Sequence, residues 1–376
     1  MNKFKFELIH KSSKSRARVG RIHTPHGIID TPNFVAVGTN GTVKCLESTM
    51  LEDLGLQLIF CNTYHLVIQP GTNVIKTAGG IHKFMNRKQP IITDSGGFQV
   101  FSLAYGGVSN EIKSRGTKRH DATVMKINED GVTFRSYRDG AKIVLTPEIS
   151  IAAQKDIGAD IIVAFDELPP YHIGASELKK SFDRTHRWQK RSLIAHQSNI
   201  ADQAMYAVIH GGVDKSLRKQ SCEILCSQAF DGYAVGGSVG KNREEMFELL
   251  KYVMPILPTD KPNHLLGIGD LPSLDECIPY GIDTFDSSHP TKAARHGLIF
   301  TKHGCKRIYQ SGNATNFGPL EEGCTCPTCK NYTTAYILHL FRAKELTAFT
   351  LATIHNLHFM VQLMKDYRNK ILNDEI

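Results

Sequence analysis

Three aspartates and one cluster of thiols carry the chemical content of this 376-residue chain. Asp94 and Asp286 each follow a short apolar run, Ile91-Ile92-Thr93 and Ile282-Asp283-Thr284-Phe285. Two such carboxylates suit chemistry at a sugar carbon. One can capture a carbon that develops positive charge, and the other can move a proton to and from the leaving group. Asp166 follows a third run, Ile161 to Phe165. A lone Asp at any of these places is more often a turn or cap residue, so the pair gains meaning only from its surroundings. Cys324, Cys326 and Cys329 put three thiols within six residues, close enough to converge on one ion. A tetrahedral site needs a fourth ligand, and the helical stretch that follows offers His339, His355 and His358. Four protein ligands leave no open coordination position, so a Cys3His site is expected to be structural, pinning a loop to the C-terminal helix.

The elements that must position these groups recur along the chain. Ala204 to Ile209 runs into His210-Gly211-Gly212, Tyr233 to Val235 meets Gly236-Gly237, and Leu265-Leu266 meets Gly267-Ile268-Gly269-Asp270. Runs this short, without a 3.6-residue period, read as buried strands. Amphipathic stretches lie between them, at Thr146 to Ile157, Leu178 to Gln197, Leu217 to Phe230, Arg243 to Met254 and Leu271 to Tyr280. Strand alternating with helix implies a parallel sheet, and at least six such units favour a closed (β/α)8 TIM barrel of the α/β class. Asp94, Asp166, His210, Gly237 and Asp286 would then share the C-terminal face of the barrel, where catalytic groups gather. We expect the barrel to occupy residues 1–304. Residues 305–376 are expected to form a zinc-binding subdomain, with one long helix from about Thr333 to Arg368 packed on the barrel.

Composition narrows the class. With 41% hydrophobic and 22% charged residues, the chain has the make-up of an ordinary globular protein. No run approaches the roughly 18 apolar residues that a membrane span requires, and the basic N-terminal stretch lacks the apolar core of a signal peptide. A cytoplasmic protein is expected, in which nine cysteines point to reduced thiols and metal rather than disulfides. The net charge of +8 is mild support for a polyanionic partner. Gly236-Gly-Ser-Val-Gly-Lys241 imitates a phosphate loop but is one residue short and ends in Asn242, so a nucleotide site there is rejected.

Longer motifs sharpen the carboxylates. Asp94-Ser-Gly-Gly-Phe-Gln-Val-Phe-Ser102, Ala164-Phe-Asp-Glu167, Phe230-Asp-Gly-Tyr-Ala-Val-Gly-Gly237 and Gly281-Ile-Asp-Thr-Phe-Asp286 stand in this order. Pro290-Thr-Lys292, Cys324-x-Cys326-x2-Cys329 and Ile354-His-Asn356 follow. With them the chain resembles the queuosine-type tRNA-guanine transglycosylases of bacteria and eukaryotes, over nearly its whole length. The resemblance implies an enzyme that exchanges the wobble guanine of GUN-anticodon tRNAs for a 7-deazaguanine base, queuine or its aminomethyl precursor, through a covalent enzyme–RNA intermediate. It implies Asp286 as nucleophile and Asp94 as proton acceptor and donor. The base pocket would comprise Asp94, Ser95, Gly96, Gly97, Phe98, Asp166, His210 and Gly237, with Asp166 reading the guanine edge. RNA contacts would come from Gly267, Ile268, Gly269, Asp270, Leu271, Pro272 and Ser273, and from Thr291, Lys292, Ala293, Ala294 and Arg295. One structural Zn2+ would sit on Cys324, Cys326, Cys329 and His355, and the protein would be a homodimer.

Several pocket positions depart from the common bacterial pattern. Phe98 stands for Tyr, Leu168 for Cys, His210 for Gln, Asp270 for Lys and Ser287 for Cys, and the segment Gly237 to Lys241 is one residue shorter. A neutral imidazole can still donate to a purine carbonyl. The shorter segment should enlarge the pocket where the deaza-carbon substituent lies, favouring queuine, whereas Leu168 adds bulk. Two other classes fit less well: a catalytically inactive tRNA-binding subunit, which the retained acids oppose, and a carbohydrate glycosidase, which the metal cluster and basic segments oppose.

Overall fold

The computed structural model describes residues 4–105 and 124–376, with the side chains of 102–105 outside that description, among them that of Ser102. Eight parallel strands form a closed barrel: β4 (Asn33–Val37), β5 (Ile59–Cys61), β6 (Ile91–Thr93), β10 (Ile161–Val163), β11 (Ala204–Ile209), β12 (Gly232–Val235), β13 (Asn263–Leu265) and β14 (Thr284–Ser287). Their order round the barrel is sequential, and β6 closes it by pairing with β10. The expected TIM barrel is therefore present. β6, β10 and β11 are buried on both faces, so each reads as an apolar run without alternation.

Inside the barrel, Val35, Leu58, Phe60, Ile92, Ile161, Tyr206, Val208 and Ala234 fill the lumen. A three-stranded antiparallel sheet of β1 (Lys5–Lys11), β2 (Arg18–Thr24) and β3 (Gly27–Thr31) plugs the N-terminal end by inserting Ile22 and Ile29 into the same cluster. Asp160 locks this end, accepting from the Ile91 backbone N–H at 2.9 Å and from His26 Nδ1 at 2.8 Å, while the His26 and His82 rings stack at 3.6 Å. At the opposite end, β7 (Val124–Ile127), β8 (Val132–Arg135) and β9 (Lys142–Leu145) form a second small sheet. Its Val132, Phe134 and Leu145 pack on Tyr64, Phe101, Phe165 and Trp188.

The expected helices between strands are all present, with shifted ends: Pro147–Ile157, Ala175–Gln197, Lys215–Cys226, Arg243–Val253 and Leu271–Cys277. The single C-terminal helix expected from Thr333 to Arg368 is two helices, Thr334–Arg342 and Leu346–Leu372. Lys344 adopts φ +59°, and the Glu345 N–H closes on the Leu340 carbonyl at 2.9 Å, a left-handed helix stop. The stop folds the first helix back, so that Ile337, Leu338 and Phe341 pack on Ala348, Leu351 and Ala352 of the second. A continuous helix would leave both of those faces in water. The second helix carries Leu357, Met360, Val361 and Met364 into the main core between strands and helices, so it serves as an outer helix of the barrel. The hairpin of β15 (Leu298–Thr301) and β16 (Gly304–Arg307) leads from the barrel to the thiol cluster.

Candidate active site

Asp94, Asp166, His210, Gly237 and Asp286 all lie at or just past the C-terminal ends of barrel strands, at one end of the cylinder. Asp94 follows β6 and Asp286 lies in β14, with β4 and β5 between them in the sheet.

Asp94 is held on both oxygens. Asn62 Nδ2 donates to Oδ2 at 2.7 Å, and the Thr63 backbone N–H donates to Oδ1 at 2.7 Å. Burial pushes its pKa up to about 6, against the pull of these hydrogen bonds toward the charged form. A carboxyl group poised there can donate or accept a proton near neutral pH.

Asp286 is held on one oxygen. Oδ1 meets His264 Nε2 at 2.9 Å and the Gly267 backbone N–H at 2.7 Å, and Oδ2 has no hydrogen-bond partner among the described residues. A carboxylate with one oxygen anchored and the other open suits a nucleophile. β5 and the turn after it connect the two acids. Phe60 stacks on the His264 ring, with centroids 5.9 Å apart, and Asn62, two residues on, holds Asp94.

Asp166 receives the Ser95 hydroxyl on Oδ1 at 2.8 Å and faces His210 Nε2 from Oδ2 at 2.8 Å. Since the carboxylate only accepts, Nε2 carries the hydrogen, and a neutral His210 spends its one N–H on Asp166. Gly97 packs so closely that a Cβ would lie 2.4 Å from the Asp166 carbonyl oxygen, which explains the glycine. Gly237, at φ +77°, leaves room for His210, whose Nδ1 a Cβ would approach to 2.9 Å. Gly96 precedes this packing at φ +82°, and Phe98 is about half exposed, at 47%. Leu168 turns its bulk into the cluster around Phe165 and Trp188.

The two stretches expected to meet RNA are mixed in exposure. Gly267, Pro272 and Lys292 are exposed, and Ile268, Leu271 and Arg295 are half-buried. Gly269, Ser273, Thr291, Ala293 and Ala294 are buried, so they shape the surface from beneath. Asp270 caps the helix Leu271–Cys277 through the Ser273 N–H and pairs with Arg243 at 2.9 Å.

Sequence reading missed Asn62, Thr63, His264 and Arg218. The fully buried Arg218 guanidinium donates to the carbonyls of Ile209, Gly212, Gly236 and Ser238, at 2.5, 2.8, 2.9 and 3.1 Å. It therefore staples the turn that carries His210 to the one that carries Gly237. A signal for Asn62 was present in the run Leu58-Ile-Phe-Cys61 ending in Asn62-Thr63, the same pattern as the other strand ends.

Away from the mouth, the donor atoms of Cys324, Cys326, Cys329 and His355 all lie within 4.8 Å of one another, a group that could hold a metal ion. His355 Nδ1 stands 3.7, 3.6 and 3.3 Å from the three sulfurs. A tetrahedral ion with ordinary Zn–S and Zn–N bonds would separate S and N by about 3.6 Å, so the set fits. His355 Nε2 meets the Phe300 carbonyl at 2.8 Å, which fixes the tautomer that aims Nδ1 at the cluster. His358 instead contacts Thr325, 3.2 Å away, and neither it nor His339 joins the group.

The profile of a family described as Queuine tRNA-ribosyltransferase matches residues 12–376. A protein of Protochlamydia amoebophila (strain UWE25) named queuine tRNA-ribosyltransferase is 67% identical over all of this chain and 97% of its own. Proteins of the same name from Chlamydia caviae and Chlamydia felis are each 52% identical over 99% of both chains. Matched over residues 12–376 and 67% identical to a relative along its whole length, the chain belongs to the queuine tRNA-ribosyltransferase family.

Proposed function

We propose that this protein is a tRNA-guanine transglycosylase acting by double displacement. Asp286 attacks ribose C1′ as the bond to guanine breaks, and the electron pair leaves with the base, which takes a proton from Asp94. The incoming 7-deazaguanine then gives a proton to the Asp94 carboxylate, bonds to C1′ and expels Asp286. Asp166 reads the guanine edge, since one carboxylate can accept from both the ring N–H and the exocyclic amine, a pair that adenine lacks. Ser95 to Phe98, His210 and Gly237 complete the pocket, and the loops at 267–273 and 291–295 form the RNA face.

The observation that carries this reading is the contrast between two buried acids: Asp94 is held on both oxygens, and Asp286, among the described residues, through Oδ1 alone. Incubation with an anticodon stem-loop followed by a denaturing gel tests it. A covalent adduct is expected with the wild type and none with Asp286→Ala; an adduct that survives this substitution would falsify the assignment.

The incoming base is queuine. The shortened Gly237–Lys241 segment and the packing of a partly buried Leu168 against the Phe165–Trp188 cluster both support a roomier pocket at the deaza-carbon substituent. In competition for tRNA labelling queuine should win, and a strong preference for the aminomethyl precursor would overturn this choice. The Cys3His group holds one structural Zn2+, whose chemistry is to cross-link the chain. The enzyme works as a homodimer in the cytoplasm, in keeping with nine cysteines that are all unbridged.

A further inference from the structure

His264 lies within a barrel strand, is 1% exposed, and has both ring nitrogens engaged. Nε2 is 2.9 Å from Asp286 Oδ1, and Nδ1 is 2.8 Å from the Thr284 hydroxyl. The parallel register sets His264 opposite Thr284, and Asp286 follows two residues later on the same strand face. The Phe60 ring stacks on the imidazole and holds its plane.

The hydrogen positions follow from the partners. A carboxylate only accepts, so Nε2 must bear a hydrogen. The Thr284 hydroxyl lies within reach of both Nδ1 and the Asn263 carbonyl, the latter at 3.2 Å. With neutral His264 it donates to Nδ1, and with the imidazolium it accepts from Nδ1–H and donates to Asn263. Either way Nε2–H stays on Asp286.

Resting on the assignment of Asp286 as nucleophile, we propose that His264 is a positioning residue that fixes the Asp286 carboxylate and selects Oδ2 as the attacking oxygen. With Oδ1 tied to two donors, rotation about the carboxylate bond is arrested and only Oδ2 can reach C1′. Oδ2 forms the bond to C1′ while the C1′–guanine bond breaks, the electron pair going to the base together with the proton from Asp94. Oδ1 becomes the carbonyl oxygen of the ester. When the second base arrives the C1′–Oδ2 bond breaks, its electron pair returns to the carboxylate, and the two donors stabilise the negative charge that reappears. His264 thus acts through Asp286 in both half-reactions without touching the RNA.

The test uses the full-length enzyme, a stem-loop RNA and labelled guanine, with His264→Phe and His264→Gln. Phe keeps the ring and removes the donor, and Gln restores an N–H at the position of Nε2. We expect His264→Phe to lower kcat by roughly 100-fold, in the range seen when one preorganised donor is removed, with KM for RNA within about threefold. His264→Gln should recover kcat to within about tenfold of the wild type. Unchanged kcat in the Phe variant, a loss confined to KM, or a folded Gln variant as slow as Phe would each overturn the proposal. If His264→Phe fails to fold, the Gln variant decides alone: near-normal kcat supports the proposal, and a folded but hundredfold slower enzyme or an unfolded one overturns it. A wild type that forms no Asp286-dependent adduct would remove the underlying assignment. An adduct with a flat His264 series would remove only the positioning role.

Discussion

Asp94 and Asp166 owe their properties to their burial and to neighbours that no linear spacing reveals. Asp94 has a folded-state pKa of about 6, above its unfolded value near 3.9. Its neutral form therefore supports the fold below about pH 4, and this support is lost as pH rises through 6. Asp94→Asn removes that titration. At pH 8 it should be more stable to denaturant than the wild type, by up to about 3 kcal/mol, and inactive. Guanine departure consumes the acid form, so single-turnover adduct formation should fall about tenfold per pH unit above 6. A rate flat from pH 5 to 8 would remove Asp94 as the acid. Asp166 is already paired with Ser95 and His210, so its charge is prepaid in structure before any base arrives. Asp166→Ala should lower kcat/KM for labelled guanine more than 100-fold, because the base then faces no acceptor at its N–H pair. Adduct formation with prebound RNA would show whether the loss lies in recognition.

The elements explain what sequence could and could not disclose. Six barrel strands were legible because each is a two-sided apolar run ending in Asp, His or Gly. β4 and β5 were not: Asn33 opens the first, and the second, Ile59 to Cys61, runs into Asn62-Thr63 rather than into Asp, His or Gly. Missing β5 meant missing Asn62 and Thr63, the residues that hold Asp94. His264 was hidden for a different reason. It sits inside β13, where an isolated histidine reads as a core residue, and only the register with β14 brings it to Asp286. The carboxylates themselves were legible because they follow strands in long motifs. The C-terminal helix was read as one because Ala343-Lys344-Glu345 contains no glycine or proline, although Lys344 is forced left-handed by the packing of Phe341 against Phe349 and Tyr309. Lys344→Gly should therefore raise stability by about 0.5–1 kcal/mol, read as a shift of the denaturant midpoint at constant slope. Arg218 is the opposite case, a residue whose loss should be severe. Burial lowers its pKa only to about 10, so it remains charged at neutral pH and serves four carbonyls. Arg218→Lys offers fewer donors in the wrong geometry, and should cost several kcal/mol while loosening the His210 and Gly237 turns together. Hydrogen exchange at both turns, faster in the variant, would register the coupling.

At the scale of the molecule, the thiol cluster is joined to the barrel rather than hung from it. His355 lies in the helix Leu346–Leu372, whose Leu357, Met360, Val361 and Met364 share the main core, and its far nitrogen meets the Phe300 carbonyl in the hairpin after β14. Asn356, the next residue, donates to the carbonyls of Pro290 and Leu298 and accepts from the Phe300 N–H. A metal at the four donors would thus fix the 324–329 loop to a helix that already bears on the segment 290–300, where Lys292 and Arg295 lie. Removing it should disturb RNA binding before it disturbs chemistry, since Asp94 and Asp286 are held by β5, β13 and β14, none of which contacts the cluster through a hydrogen bond. Cys326→Ser, or extraction with a strong chelator, should release about one Zn2+ per chain and lower Tm by more than about 5 °C, because binding energy at such a site is folding energy. KM for the stem-loop should rise several-fold while kcat at saturating RNA changes little. Equal loss of kcat and kcat/KM, with Tm unchanged, would instead tie the metal to the reaction centre.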